Sequence, residues 1–279
     1  MSVDLVEIDP TWKIYGAGIT ITGPTLRALQ TLGVLDEVTQ HGATWEGAYV
    51  YSQTGQLIEE LNFPPIAADL PGTGGIMRPK FTGQVIYRIV AERPPGFDRT
   101  HFYMGPDSKL GFNPVSRTHR YMFLLQRSPS NPWIAVEDRP RRLYDSMSGW
   151  GGIAPEVRKT VMTTNAHTIN YRPLEAVLLP NPWYRDRVIL IGDAAHATTP
   201  HLASGAGMAV EDGIVLAEEV TRDADIDAAL PRFMKRRYER GKLVVENSLR
   251  LGELEMTHGS PKEHSRVMMA AVAALAQSA

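Results

Sequence analysis

The chain of 279 residues has no cysteine. That excludes disulfides, thiolate catalysis, cysteine-ligated zinc and iron–sulfur clusters. It has little net charge, −2 from 29 basic and 31 acidic residues, so no electrostatic case exists for nucleic acid or an anionic membrane surface. It has no apolar run of membrane-spanning length, no signal-peptide pattern, no internal repeat and no low-complexity tract. The expectation is a cytoplasmic protein with no membrane and no nucleic acid among its partners. What remains is ordinary globular composition, 43% hydrophobic and 22% charged, enough for one large domain or two small ones.

The most informative stretch is Arg187 to Gly213, RVILIGDAAHATTPHLASGAGMAVEDG. Val188 to Ile191 is an apolar, β-branched run closed by Gly192-Asp193, the pattern of a buried strand. Small residues, one proline and two glycines follow. Apolar residues at Met208, Val210, Ile214, Val215 and Leu216 then take up a helical spacing. The spacing predicts strand, tight turn with an Asp, glycine-rich loop, helix N-terminus. Such a start offers free backbone N–H groups and the positive end of a dipole to an anionic or electron-rich group.

The order Gly192-Asp193-Ala194-Ala195-His196, then Pro200, then Gly205-Ala206-Gly207-Met208, then Glu211-Asp212 resembles the second flavin-binding signature of the FAD-dependent aromatic hydroxylases, the para-hydroxybenzoate hydroxylase-like monooxygenases. The resemblance implies FAD as cofactor. It puts Asp193 by the ribityl and pyrophosphate part, Pro200 beside the reactive edge of the flavin ring, and the amides of Gly205, Ala206, Gly207 and Met208 near its pyrimidine end. No side chain is expected to be catalytic in its own right, since the cofactor carries the hard chemistry. NADH or NADPH would reduce the flavin, and O2 would then hydroxylate a small aromatic or heteroaromatic substrate.

Earlier in the chain, Ser2 to Ile8 reads as a strand stopped by Pro10, with Glu7 resembling the family's ribose ligand. The family's first strand and glycine fingerprint are expected before that strand and do not occur after Met1. The glycine groups at Gly16, Gly72 and Gly205 lack the strand–turn–helix context. Gly16 to Val38 reads as a glycine loop, a short strand and a helix with Pro24 in its first turn, a stripe of Leu26, Leu29 and Leu32, and Gly33 as terminator. Gly47 to Leu61 reads as a hairpin turning at Gln53-Thr54-Gly55. Phe63 to Gly75 reads as a Pro/Gly loop. Arg78 resembles the family's arginine that reaches the flavin and pyrophosphate. The family's internal Asp-Gly segment is expected after it and is missing, Pro79-Lys80 leading straight into Phe81.

Phe81 to Tyr184 carries strand-like runs joined by short turns, which argue an antiparallel sheet. By resemblance this is the substrate-side sheet. Its candidate lining aromatics are Tyr87, Phe102, Tyr103, Tyr121, Phe123 and Tyr171, with ordinary core packing the favoured reading for each. Ala224 to Leu251 reads as a charged helix whose Lys235-Arg236-Arg237 run lies on a wet face. Pro261 to Ala279 reads as a terminal helix, packed on the body or on another subunit of a homo-oligomer. His196 and His201 are not at the i, i+4 spacing of a metal pair, and Ser204 lacks a nucleophile elbow, so no metal and no serine chemistry are expected. The fold class implied is mixed α/β: an incomplete FAD-binding Rossmann-like domain from residues 1–80 and 185–279, and an antiparallel-sheet substrate domain from 81–184. Two functional readings stay open, a working FAD-dependent monooxygenase and a truncated or rearranged relative with weak or no FAD binding and no catalysis.

Overall fold

Apolar residues that alternate along a strand put one face against a core and leave the next for another layer. The computed structural model describes residues 23–41, 47–62, 80–222 and 225–276, and within them this alternation sets the architecture. In chain order the elements are α1 (Gly23–Thr31), α2 (Leu35–His41), β1 (Gly47–Ser52), β2 (Leu57–Asn62), β3 (Lys80–Glu92), β4 (Thr100–Met104), β5 (Ser108–Pro114), β6 (His119–Arg127), α3 (Arg139–Ser146), α4 (Ala154–Val161), β7 (Asn170–Ala176), β8 (Tyr184–Arg185), β9 (Val188–Ile189), α5 (Asp193–His196), α6 (Gly205–Arg222), α7 (Ile226–Met256) and α8 (Pro261–Leu275).

Seven strands form one sheet in the order β2-β1-β4-β5-β6-β3-β7. Every pairing is antiparallel except β1 with β4. The expected hairpin is present, and its β1 strand extends the sheet built from residues 80–176. One face carries Val85, Tyr87, Ile89, Leu110, Phe112 and Met122 into a core closed by Leu143, Met147, Trp150 and Val157 of the α3–α4 region. The other carries Ile86, Phe123, Leu125 and Leu174 with Phe102 and Tyr121. The period of two thus divides the six candidate aromatics. Tyr87, Tyr103 and Tyr171 are core residues behind the sheet, and Phe102, Tyr121 and Phe123 lie on the opposite face.

The helical layer is built on α6 and α7. Trp183, Ile214, Val215, Phe233 and Met234 form one cluster, and Leu202, Met208, Val244, Leu251 and Leu275 a second that ties in α8. Asp225 caps α7, its side chain accepting from the Asp227 and Ala228 amides at 3.0 and 3.4 Å. Helix α1 crosses α6 closely, because Gly207 presents no side chain to Thr25; a Cβ at 207 would overlap the Thr25 hydroxyl.

Three expectations are corrected. The run Val188 to Ile191 is not a buried strand. It pairs for two residues only, with Tyr184–Arg185, and Val188 is 68% exposed. A hydrophobic run is buried only if neighbouring strands cover it, and among the described residues no strand other than β8 pairs with β9. The α1 stripe is rotated from the leucines. Thr25 and Ala28 are buried and Leu32 is 55% exposed, since only small side chains fit the close approach to α6. Gly33 does end the helix, at φ 74. Finally, Lys235-Arg236-Arg237 is not a uniformly wet face, for Arg237 is wholly buried. It follows Phe233 and Met234 by four and three residues, so the helix turns it into the core.

Candidate functional site

Gly192 has φ 59 and ψ −141, a combination that only glycine tolerates without strain. The turn it makes starts the single helical turn of α5 with Asp193 at its head. The turn is held from behind. The Gly192 amide donates to Asp212 Oδ2 at 2.7 Å, and His196 Nε2 lies 3.0 Å from the same oxygen. Arg237 Nε donates to Asp212 Oδ1 at 2.6 Å, and its other nitrogens reach Glu211 Oε2 at 3.3 Å and the Met208 carbonyl at 3.0 Å. The three charged side chains have no exposed surface. Burial pushes the Arg237 guanidinium down to about 10 even with Asp212 and Glu211 beside it. The guanidinium remains charged at neutral pH, and two buried carboxylates depend on it.

Ahead of α6, Pro200–Leu202 form one 3-10 turn and Ala203 takes a left-handed conformation at φ 50. Ser204 would be the natural cap of α6, but its hydroxyl donates back to the Leu202 carbonyl at 2.9 Å. The first intrahelical contact is Met208 N–H to the Ser204 carbonyl at 2.9 Å. Among the described residues no acceptor serves the amides of Gly205, Ala206 and Gly207. Asp193 is exposed, as are Ala194 and Ala206; Pro200 and Gly205 are half-buried, and Gly207 and Met208 are buried. Side-chain space at Gly207 and Met208 is spent on packing, so Gly207 can contribute only its amide to a ligand, while the Met208 N–H is already given to Ser204. The structure thus shows an exposed acidic side chain at the head of α5 and uncapped amides at the start of α6, with the α5 turn fixed to α6 through Asp212. Glu7 and Arg78, the other two expected contacts, lie outside the described residues.

This donor set fits the ring end of FAD. A free carboxylate can accept from ribityl hydroxyls, and uncapped helix amides can donate to a pyrimidine carbonyl and stabilise negative charge on it. The electron-transfer chemistry would be the flavin's own.

The Pro200 turn meets the second face of the sheet through another buried cluster. Glu255 of α7 receives Lys109 Nζ at 3.0 Å and lies 2.8 Å from His264 Nε2, both on Oε1. His201 Nε2 is 3.3 Å from the other oxygen, within ion-pair range but not aligned as a hydrogen bond, and its Nδ1 is 2.8 Å from the Thr199 hydroxyl. Burial alone would raise the Glu255 carboxyl, but Lys109 and His201 outweigh it and hold it well below the usual carboxylate range. Burial pushes His264 down, Glu255 only partly opposing. A depressed carboxyl stabilises the fold above its unfolded value and loses that contribution as the pH falls below it. A depressed histidine likewise costs stability once the unfolded chain takes up protons and the folded one resists. Both act in the same direction. We expect the urea midpoint to fall as the pH drops below the ordinary histidine value of 6.5, and more steeply below the carboxyl value of 4.5. His264→Asn should flatten the first part of that profile; an unchanged slope there would assign the loss to other groups.

On the same sheet face, the Phe123 ring occupies the space beside Gly111, where any Cβ would overlap it. Arg88 lies beside the Tyr121 phenol, whose pKa burial raises against that cation. Lys109 Nζ stands 4.8 Å from the Phe102 ring centre. Arg237, Glu255 and Lys109 were not singled out as site residues from sequence. The available signal was their register, each charged residue recurring on an apolar face of its helix or strand.

Among the described residues no helix is long and apolar enough to cross a membrane, and no group of three or more acidic or histidine side chains is placed to hold a metal ion. A family model described as an FAD binding domain matches residues 153–248, which include Asp193 to Met208 and the Asp212–Arg237 cluster but not Glu255 or His264. The chain is 39% identical to the "Putative FAD-dependent monooxygenase YetM" of Bacillus subtilis (strain 168), over 88% of this chain and 85% of that one. The aligned stretch, 317 positions, is longer than the whole of this chain, so the relative has internal residues without a counterpart here. The 3-hydroxybenzoate 6-hydroxylase of Polaromonas naphthalenivorans (strain CJ2) is 26% identical over 75% of this chain, which spans 54% of that protein's length. In fold, Klebsiella pneumoniae HpxO complexed with FAD and uric acid superposes with a TM-score of 0.75 at 18% identity, covering 95% of this chain and 84% of that one. With a relative of this identity aligned across most of both chains, and a helix entrance whose donors suit a flavin, the chain belongs to the FAD-dependent monooxygenases of the aromatic-hydroxylase family.

Proposed function

We propose that this protein binds the ring end of FAD at the rim formed by Asp193, Pro200 and the amides of Gly205, Ala206 and Gly207. It would use NADH or NADPH and O2 to hydroxylate a small aromatic or heteroaromatic compound in the cytoplasm. In this reading residues 1–80 and 185–279 supply the cofactor side, Glu7 and Arg78 included, except that the hairpin of residues 47–62 extends the substrate sheet formed by 81–184. The observation that carries it is the uncapped start of α6, with an exposed Asp193 on the turn that Asp212 and Arg237 hold to that helix. Bound FAD would supply the redox chemistry. The chain's own part is to orient the ring, offer amides to its charged end and keep water from the substrate side.

The substrate would lie against the face bearing Phe102, Tyr121 and Phe123, with Arg88 placed to meet a polar or anionic substituent. A ring stacked on such aromatics gains apolar burial while a guanidinium fixes its orientation. The uric acid complex of HpxO and the hydroxybenzoate named in the Polaromonas relative support this class of ligand.

A second reading, a family member that holds FAD weakly or not at all, is favoured by one observation. Among the described residues strand β9 is paired for two residues only, and Val188 is largely exposed where a central strand would be covered. One experiment separates the two. Purified protein mixed with excess FAD should show a bound-flavin visible band and quenched flavin fluorescence, and NADH consumption stimulated by candidate phenols. Asp193→Ala should weaken FAD binding by about tenfold or more, the size of one lost hydrogen bond to a charged group. A wild-type chain that stays colourless supports the second reading and removes the first.

A further inference from the structure

Four buried polar atoms gather between the Pro200 turn, α7 and the start of β3 without an aligned partner: both amide atoms of Gln84, Nε2 of His201 and Oε2 of Glu255. They belong to one place. A Cβ on Gly252 would lie 2.7 Å from Gln84 Oε1 and 3.3 Å from His201 Nε2, and Glu255 follows Gly252 by one helical turn. Gly252 lets the helix come this close. The position carries no side chain, which leaves room for Gln84 and the imidazole.

Two features say what the place is for. The imidazole belongs to the residue directly after Pro200, and its Nδ1 is tied to the hydroxyl of the residue directly before it, Thr199. The carboxylate it faces is tied to β5 through Lys109 and to α8 through His264. Glu255 thus joins the sheet, α7, α8 and the turn at one carboxylate.

We propose that Glu255, His201 and Gln84 form a buried polar socket that positions the Pro200 turn against the sheet. These are positioning residues: they act on the flavin edge through the turn. The link to the flavin rests on the function proposed above; the link to the turn does not.

The test has two arms. Hydrogen exchange on the chain without FAD, read by mass spectrometry, should show Glu255→Gln raising exchange in peptides covering 197–204 about tenfold, with α4 peptides unchanged. Gln84→Leu keeps the volume and removes only the amide, so it serves where the charge change prevents folding. It should loosen the same peptides. If the amide were merely unpaired, Gln84→Leu would leave the turn as tight or tighter, and that result overturns the proposal. Val157→Ala in α4 is the control for general loss of stability, expected to leave 197–204 unaltered. A rise in exchange of equal size in this control also overturns the proposal. In the second arm the visible band of bound FAD should shift in Gln84→Leu and not in Val157→Ala. A wild-type protein that takes up no FAD fails the functional reading alone, and the exchange arm then decides the socket.

Discussion

Arg237→Met lowers stability by about 3–5 kcal/mol, the usual cost of removing one partner from a buried ion pair. The substitution keeps most of the side-chain length, so little cavity is created. What it leaves is Asp212 and Glu211 inside the protein with no cation in direct contact on the α7 side except the more distant Arg240, whose nitrogen is 3.8 Å from Glu211. Desolvated carboxylates respond by taking up protons, and the protonated Asp212 would then serve the Gly192 amide and His196 less well. At roughly 2–4 °C per kcal/mol for a protein of this size, thermal unfolding should move down by about 6–20 °C. The change is large enough to lower soluble yield in cells. Arg237→Lys keeps the charge but loses the fork that meets Asp212, Glu211 and the Met208 carbonyl together, and should fall between. Urea unfolding of the three proteins checks the order. Equal midpoints for wild type and Arg237→Met would show that the cluster contributes nothing net.

Gly192→Ala should cost about 2–4 kcal/mol, since two penalties fall on one methyl group. The backbone at φ 59 and ψ −141 strains any other residue by about 1–3 kcal/mol, and the added carbon would stand 3.0 Å from the Ala209 methyl. Rotation of the turn relieves both, and it draws the 192 amide away from Asp212 and swings Asp193 off the rim. The effect on ligand binding should therefore exceed the effect on stability. FAD affinity, if the functional reading holds, falls by more than the tenfold expected of Asp193→Ala, because the amides and the acid are displaced together. Denaturant midpoint and flavin fluorescence titration measured on the same preparation check both parts. A variant with wild-type midpoint would mean that the turn relaxes freely and that the glycine is not needed there.

Much of this arrangement was legible in the sequence because it follows local rules. The strands between Phe81 and Ala176 alternate, the hairpin turns on Thr54-Gly55, α8 begins at Pro261, and Asp193 and Gly205 stand at fixed steps after an apolar run. What failed needed knowledge of neighbours. The burial of Val188 depends on strands beside it, which no local pattern supplies. The α1 leucines looked like the buried stripe because size suggests burial, whereas contact with Gly207 selects small residues. Arg237 reads as part of a basic run until Asp212, 25 positions earlier, is brought against it. Glu255 is hidden in the same way, its partners Lys109 and His264 coming from β5 and α8. Long-range ion pairs carry no sequence signature beyond a charged residue in an apolar register.

The ring of Phe123 rests on a bare stretch of backbone at Gly111, on the face of the sheet turned toward the Pro200 turn. That makes the aromatic a tile laid on an unfilled square. Whatever occupies position 111 decides how high the tile sits, and so how deep a ligand above it can settle. Ligand preference could then be retuned from beneath, by a residue that no ligand ever meets.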